Sequence, residues 1–227
     1  MDKAVGDHMI DFKKPRIALI VPAFNEEDRI GDVIATAKSV KLIDEIVVVN
    51  DGSSDNTALV AKSTGVRVIN LPTNHGKGYA MQRGIRAVDA DILVFSDADI
   101  LGLKEQHLLL LIEPLLRDDE LMMTVGKFSG GRLRTDFSHN LIPSISGQRA
   151  LRRELITGLP DLSFTRFGVE IALTKHAKSN GAKIFEVTLK DLSHVMKEEK
   201  LGMVKGMSAR LKMYQEMYRI MKPPKGF

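Results

Sequence analysis

The sequence predicts an α/β protein with a mostly parallel central sheet and helices on both faces. Three observations predict it. Over residues 15–100, short β-rich apolar runs alternate with segments of helical spacing. The runs are apolar at successive positions, as strands covered on both faces are. Polar clusters follow three of these runs directly, at the strand ends where open parallel sheets bind ligands.

Each element has its own justification. Ile17 to Val21 is a first strand ending at Pro22, and Asp28 to Ser39 is helical through Ile30, Val33, Ile34 and Ala37. Glu45 to Val49 is a second strand, stopped by Asn50-Asp51-Gly52. Ser54 to Thr64 reads as a helix with Ser or Asp at its cap. Val66 to Ile69 is a third strand, Gly78 to Val88 a helix and Ile92 to Ser96 a fourth strand. Beyond residue 100 the spacing predicts helices over Glu105–Leu116, Gln148–Ile156 and Val169–Ser179, and strands over Leu121–Phe128 and Lys183–Thr188. Three units are expected: an extension over 1–14, a catalytic domain over 15–197 with halves meeting near residue 100, and a tail over 198–227. In the tail, Val204, Met207, Leu211, Tyr214, Tyr218 and Met221 recur at spacings of three and four. That is an amphipathic helix, suited to its own domain, to a second copy in a homodimer, or to peripheral contact with a membrane.

Composition excludes several classes. The 227 residues contain no Cys, so disulfides and thiolate zinc sites are excluded, consistent with a reducing, cytoplasmic setting. The longest apolar run, Leu108–Ile112, is far too short to span a membrane. Net charge is +4 with 5% aromatics, which does not make the basic, aromatic stripe of a nucleic-acid binder. An anionic substrate or a membrane surface suits the mild excess better.

The chemistry concentrates at the predicted strand ends. Asp97-Ala98-Asp99 leaves the fourth strand with two carboxylates on one side. Such a pair repels unless a cation such as Mg2+ or Mn2+ joins it, or unless it merely caps the next helix. Pro22-Ala23-Phe24-Asn25-Glu26 can offer backbone amides and an acid to a nucleotide, or simply open a helix. Asp51, with Gly52 and Ser53, could read a base N–H edge or form a local turn. Gly76-Lys77-Gly78 brings an amine close to backbone, as a diphosphate requires.

Together and in order these pieces resemble the nucleotide-sugar-dependent glycosyltransferases of the GT-A fold, the family-two group. The resemblance covers Pro22 to Glu27, Val49 to Asp55, Gly76 to Gly78 and Asp97 to Asp99. It implies that Pro22, Ala23, Glu26, Asp51 and Lys77 hold the nucleotide, and that Asp97 and Asp99 hold nucleotide and metal. The second half is similar to a narrower group, the glucosyl- and mannosyl-3-phosphoglycerate synthases. Gly130-Gly131-Arg132, Ser146-Gly147-Gln148, Arg153 to Ile156, Phe167 to Ile171 and His194 carry that likeness. It implies that Gly130, Gly131 and Arg132 hold a phosphorylated acceptor and that His194 completes the metal site. It departs from that group in Gln148 for Glu, in Asp51 for Ser, and in His194-Val195-Met196 for His-Arg-Asn.

The expectation is therefore an enzyme that moves a hexose from a UDP- or GDP-sugar, with Mg2+ or Mn2+, to a small phosphorylated or carboxylated acceptor. A lipid-phosphate acceptor at a membrane is the alternative, and a non-catalytic nucleotide-sugar binder is the alternative of another class. Asp97, Asp99, Lys77 and Glu170 are the expected catalytic groups, with Asp161 a second candidate base. Gly147, Gln148 and Arg149 join the expected acceptor side.

Overall fold

Seven strands form the main sheet, in the spatial order Arg67–Asn70 (β3), Glu45–Asn50 (β2), Ile17–Ala23 (β1), Ile92–Phe95 (β4), Arg149–Arg152 (β7), Leu121–Ser129 (β6) and Lys183–Lys190 (β8). The computed structural model describes residues 14–129, 146–159, 161–165 and 168–194, with the backbone alone at Phe164 and His194. Strand β1 (Ile17–Ala23) is buried along its whole length. It pairs in parallel with β2 (Glu45–Asn50) on one side and with β4 (Ile92–Phe95) on the other. Strand β3 (Arg67–Asn70) extends the parallel set beyond β2. This is why β1 and β4 are apolar at successive positions: neither face meets water, whereas the edge strand β3 is only partly buried.

Strand β1 continues through Pro22, where the sequence suggested an end. The carbonyl of Ala23 accepts from Asp51 N–H on the β2 side, and that of Ile20 accepts from Ser96 N–H on the β4 side. By alternation residue 22 faces β4, whose pairing stops at Ile20↔Phe95. The proline therefore deprives no ladder of a donor.

Helices cover both faces. Helices α1 (Ile30–Ser39), α2 (Thr57–Ser63) and α4 (Glu105–Arg117) supply one core, through Ile30, Val33, Ala61, Leu108 and Leu111. Helices α3 (Lys77–Ala87) and α5 (Val169–Ser179) supply the other, through Ala80, Met81, Ile85, Val169 and Leu173. Helix α3 lies unusually near β1, where a Cβ on Gly84 would fall 2.4 Å from Ile20 Cγ2.

The second half corrects one expectation. Residues 148–156 do not form a helix: Arg149–Arg152 is strand β7, followed by a 3-10 turn over Arg153–Ile156. Strand β7 runs antiparallel between β4 and β6 (Leu121–Ser129), while β6 pairs in parallel with β8 (Lys183–Lys190). The arginines that mimic a polar helix face cap carbonyls instead. Arg152 donates to Leu115 O and Leu121 O, and Arg153 to Val88 O and Ala90 O. A small ladder not foreseen, β5 (Ile100–Leu101) with β9 (Ser193–His194), closes the fold beside the end of β4. No helix among the described residues is long and apolar enough to cross a membrane. The expected tail helix lies outside the described residues.

Candidate functional site

The ends of β1, β2 and β4 converge on one rim, and hydrogen bonds knit their loops together. Asn25 stands in the left-handed region (φ 55), which Asn tolerates. Its N–H donates to Ser53 Oγ (2.9 Å), and its Oδ1 accepts from Ser54 N–H (2.9 Å). Glu26 N–H donates to Thr57 Oγ1 (2.8 Å), and Glu27 accepts from Asn56 N–H. Asp55 fixes the same corner. Burial raises its pKa, but hydrogen bonds from Thr57 and Glu27 outweigh that and hold it below 3.8. The sequence offers Ser or Asp as the cap of this helix; the acid Asp55 accepts from Thr57 N–H (3.0 Å), although Asn56 holds the N-cap position itself. On the same loop Phe24 is exposed, while Pro22 and Ala23 are buried.

Asp51 is buried and serves the backbone of the loop before α3. His75 N–H donates to its Oδ1 (2.9 Å) and Gly76 N–H to its Oδ2 (2.7 Å). Both carboxylate oxygens are thus engaged by the loop before α3. Gly52 makes the closure feasible: φ is 70°, and a Cβ there would lie 2.4 Å from the backbone carbon of Thr73. Asp51 thus places Gly76 (φ 95) and, next to it, Lys77 at the first position of α3.

Lys77 is the centre of the site. Its Nζ contacts Asp97 Oδ1 at the end of β4 and Glu170 Oε1 in the first turn of α5. The three side chains are only 21%, 13% and 6% exposed. Burial pushes the Lys77 ammonium down, but the adjacent Asp97 and Glu170 carboxylates outweigh it, so its pKa lies above the usual 10.5. Asp99 is half-buried one position beyond Ala98, which points into the core. Residues 98 and 99 form a turn beyond the end of β4, so the strand alternation expected for Asp97 and Asp99 does not extend through them.

Strand β7 completes the cluster because it is antiparallel to β4. The pairing Phe95↔Arg149 carries Gly147 alongside Asp97. A Cβ on Gly147 would lie 2.2 Å from Asp97 Oδ2. Two residues beyond, the expected acceptor role of Arg149 is corrected. Its side chain is fully buried and donates to Ser146 O (2.6 Å), Glu170 O (3.1 Å) and Thr174 Oγ1 (3.4 Å). Desolvation lowers its pKa, while Glu170 and Asp97 oppose that shift. Arg149 is thus a buried strut joining the Ser146-Gly147 loop to α5. Gln148 is corrected likewise. It points to the opposite face, fully buried, and its amide atoms have no hydrogen-bond partner among the described residues. Asp161, the second candidate base, is exposed and caps a 3-10 turn by accepting from Ser163 N–H (2.9 Å).

Gly130, Gly131 and Arg132 lie outside the described residues. His194 is placed by its backbone, opposite Ile100 and one residue past Asp99. Among the described residues no three acid or histidine side chains form a ready metal cage. Asp97 and Asp99 still suit a hard cation, which typically takes one or two carboxylates and fills its shell from phosphate and water.

Known proteins are similar to this chain in sequence and fold. Residues 18–176 match the model of glycosyl transferase family 2. A glucosyl-3-phosphoglycerate synthase of Mycolicibacterium smegmatis is 28% identical over 69% of this chain and 62% of its own length. One from Petrotoga mobilis is 34% identical over 74% of this chain and 63% of its own. This chain thus spans about six-tenths of the curated relatives it matches. Among solved structures, the glucosyl-3-phosphoglycerate synthase of Mycobacterium tuberculosis with Mn2+, uridine diphosphate and glucosyl-3-phosphoglycerate superposes with a TM-score of 0.75. The identity is 28%, over 93% of this chain and 82% of that one. A second structure of that synthase, with Mg2+ and uridine diphosphate, gives 0.70. With its GT-A sheet and its rim of acid, lysine and backbone amides, the chain belongs to glycosyl transferase family 2.

Proposed function

We propose that this protein transfers glucose from UDP-glucose to a small phosphorylated acceptor of the 3-phosphoglycerate type. The observation that carries the reading is the contact of Lys77 with Asp97 and Glu170. Its ammonium lies between a strand-end acid and an acid of the opposite half, at the rim where a diphosphate would arrive. The relatives and their UDP complexes with Mn2+ or Mg2+ support the donor and the metal.

Asp97 and Asp99 would hold the metal, with His194 added by the resemblance. Bound there, a divalent cation neutralises charge on the leaving diphosphate. Lys77 adds a second positive charge at that oxygen cluster. The loop of residues 23–27 and the Asp51-held loop frame the nucleoside side, with Glu26 toward the ribose. Glu170, buried against Lys77, suits orienting sugar hydroxyls. The Arg149 strut holds its helix in place without touching substrate. In the reaction the sugar C1–O bond to the diphosphate breaks and a C1–O bond to the acceptor forms. The hydroxyl proton passes to a phosphate oxygen or to a protein base.

The test is turnover of radiolabelled UDP-glucose with 3-phosphoglycerate and Mn2+, beside GDP-glucose and a polyprenyl phosphate. UDP-glucose with the phosphoglycerate should react best, and Asp99→Ala should lose about a hundredfold or more. Binding of UDP with Mn2+ but no transfer to any acceptor would instead mark a nucleotide-sugar binder.

A further inference from the structure

The ladder that carries His194 is too short to fix itself. Strand β9 is two residues long, with His194 opposite Ile100 and Ser193 opposite Leu101. A strand pair of that length is marginal in water. Yet it sets the backbone of His194 beside Ile100, the residue after Asp99. What holds it lies at its other end. Strand β5 runs on through Gly102 into α4, and β9 is reached from β8 through Asp191 and Leu192. His107, buried in the first turn of α4, joins these two arms. Its Nδ1 accepts from Lys104 N–H (3.1 Å), so the neutral ring carries its proton on Nε2. Nε2–H donates to the Lys190 carbonyl. That carbonyl needs a donor from outside the sheet. Asp191 N–H goes to Ser129 O (3.0 Å), so by alternation the Lys190 carbonyl points away from β6, and β8 is the last strand of the sheet among the described residues. Beside this bond Asp191 turns one arm with φ 60° and Gly102 turns the other with φ 77°. The two turns touch, since a Cβ on Gly102 would lie 2.6 Å from Asp191 O. Leu192 then enters the core that holds Ile100 and Leu108. A closed ring results: from Asp99 along the chain to His107, across to Lys190, on to His194, and back to Ile100 through the ladder.

We infer that His107 is a positioning residue of the metal centre: its bond to Lys190 fixes how β9 meets β5, and so where His194 stands relative to Asp99. This rests on the reading of Asp99 and His194 as metal ligands given above. His107 itself touches neither metal nor substrate. Removing a support that stands behind the ligands typically weakens metal binding by about tenfold or more.

Two substitutions divide the two bonds of the ring. In His107→Asn the amide oxygen stands in for Nδ1 and still accepts from Lys104, but nothing reaches Lys190. In His107→Gln the longer amide stands in for Nε2 and donates to Lys190. The experiment measures Mn2+ binding by electron paramagnetic resonance at saturating UDP, on the whole chain and these variants beside Gly102→Ala and His194→Ala. Circular dichroism and UDP binding in chelator are measured alongside. His107→Asn should bind Mn2+ about tenfold more weakly than the wild type, and His107→Gln within about threefold of it. Gly102→Ala crowds Asp191 while leaving the Lys104 bond alone, and should weaken Mn2+ binding as His107→Asn does. All three should keep the native circular dichroism and the wild-type affinity for UDP in chelator. A role confined to capping α4 predicts the reverse order, with His107→Asn unharmed and His107→Gln impaired. That order, equal affinities in the two His107 variants, or wild-type affinity in Gly102→Ala overturns the inference, and leaves the ligand reading standing while His194→Ala binds Mn2+ weakly. Wild-type Mn2+ affinity in His194→Ala, or a wild type that binds no Mn2+ even with UDP, overturns both.

Discussion

Gly147 shows how one missing carbon shapes the site. Asp97 reaches Lys77 because nothing projects from residue 147 into the space its carboxylate fills. In Gly147→Ala the new Cβ would stand 2.2 Å from Oδ2, so the carboxylate must turn. Misplacing a reacting group by about 1 Å costs on the order of a hundredfold in rate. Gly147→Ala should therefore lose about that much turnover while folding normally, since the residue lies at a sheet end outside both cores. Circular dichroism and single-turnover transfer check it. Activity within about threefold of wild type would show that Asp97 does not need this seat. At this scale the sequence was legible where chemistry is local. Asp97, Asp99 and Lys77 declare themselves by type and spacing. The contact of Lys77 with Glu170 does not, because 93 residues separate them and only the sheet brings them together. Arg149 misleads for a related reason. An arginine between polar residues looks solvated, yet three oxygens in the interior accept its protons.

Among elements, α4 is tied to the end of β8, just before the small ladder that carries His194. His107, in its first turn, accepts from Lys104 N–H through Nδ1 (3.1 Å) and hydrogen-bonds the Lys190 backbone at the end of β8. Where the chain leaves β8, Gly102 packs on Asp191: a Cβ there would meet Asp191 O at 2.6 Å. Burial, with the Lys104 charge, lowers the His107 pKa below its usual 6.5. In the unfolded chain this histidine takes a proton near pH 6.5, whereas in the folded protein it resists until lower pH. Stability should thus fall as pH drops through about 6.5 and level off below the folded pKa. Urea unfolding at about pH 7.5 and 5.5 should show that loss in the wild type and a smaller one in His107→Asn, which can still accept from Lys104 but cannot titrate. Equal losses in both would assign the pH dependence elsewhere. Element legibility follows the same physics. Helices α4 and α5 were readable because one face is apolar and the other wet. Strand β7 was not, because it is buried on both faces and its flanking arginines end on carbonyls, which mimics helical patterning.

For the molecule as a whole, the site joins two halves that meet along β4 and β7. Lys77, Asp51 and Asp97 come from the first hundred residues, and Gly147, Arg149 and Glu170 from the second. A ligand gripping both halves binds only the folded arrangement, so its full binding energy adds to global stability. UDP with Mn2+ at a hundred times its dissociation constant should contribute about 2.7 kcal/mol. For a chain of this size that is a rise in melting temperature of roughly 5–10 °C. Because a hard cation held by one or two carboxylates fills its shell from phosphate oxygens, Mn2+ alone should shift the wild type by less than about 1 °C, and UDP with chelator by well under half of the full effect. Differential scanning calorimetry with each ligand singly and together measures all three. Additive shifts from metal and nucleotide would mean two independent sites. A shift larger together than the sum is what one shared rim, where metal and diphosphate hold each other, requires.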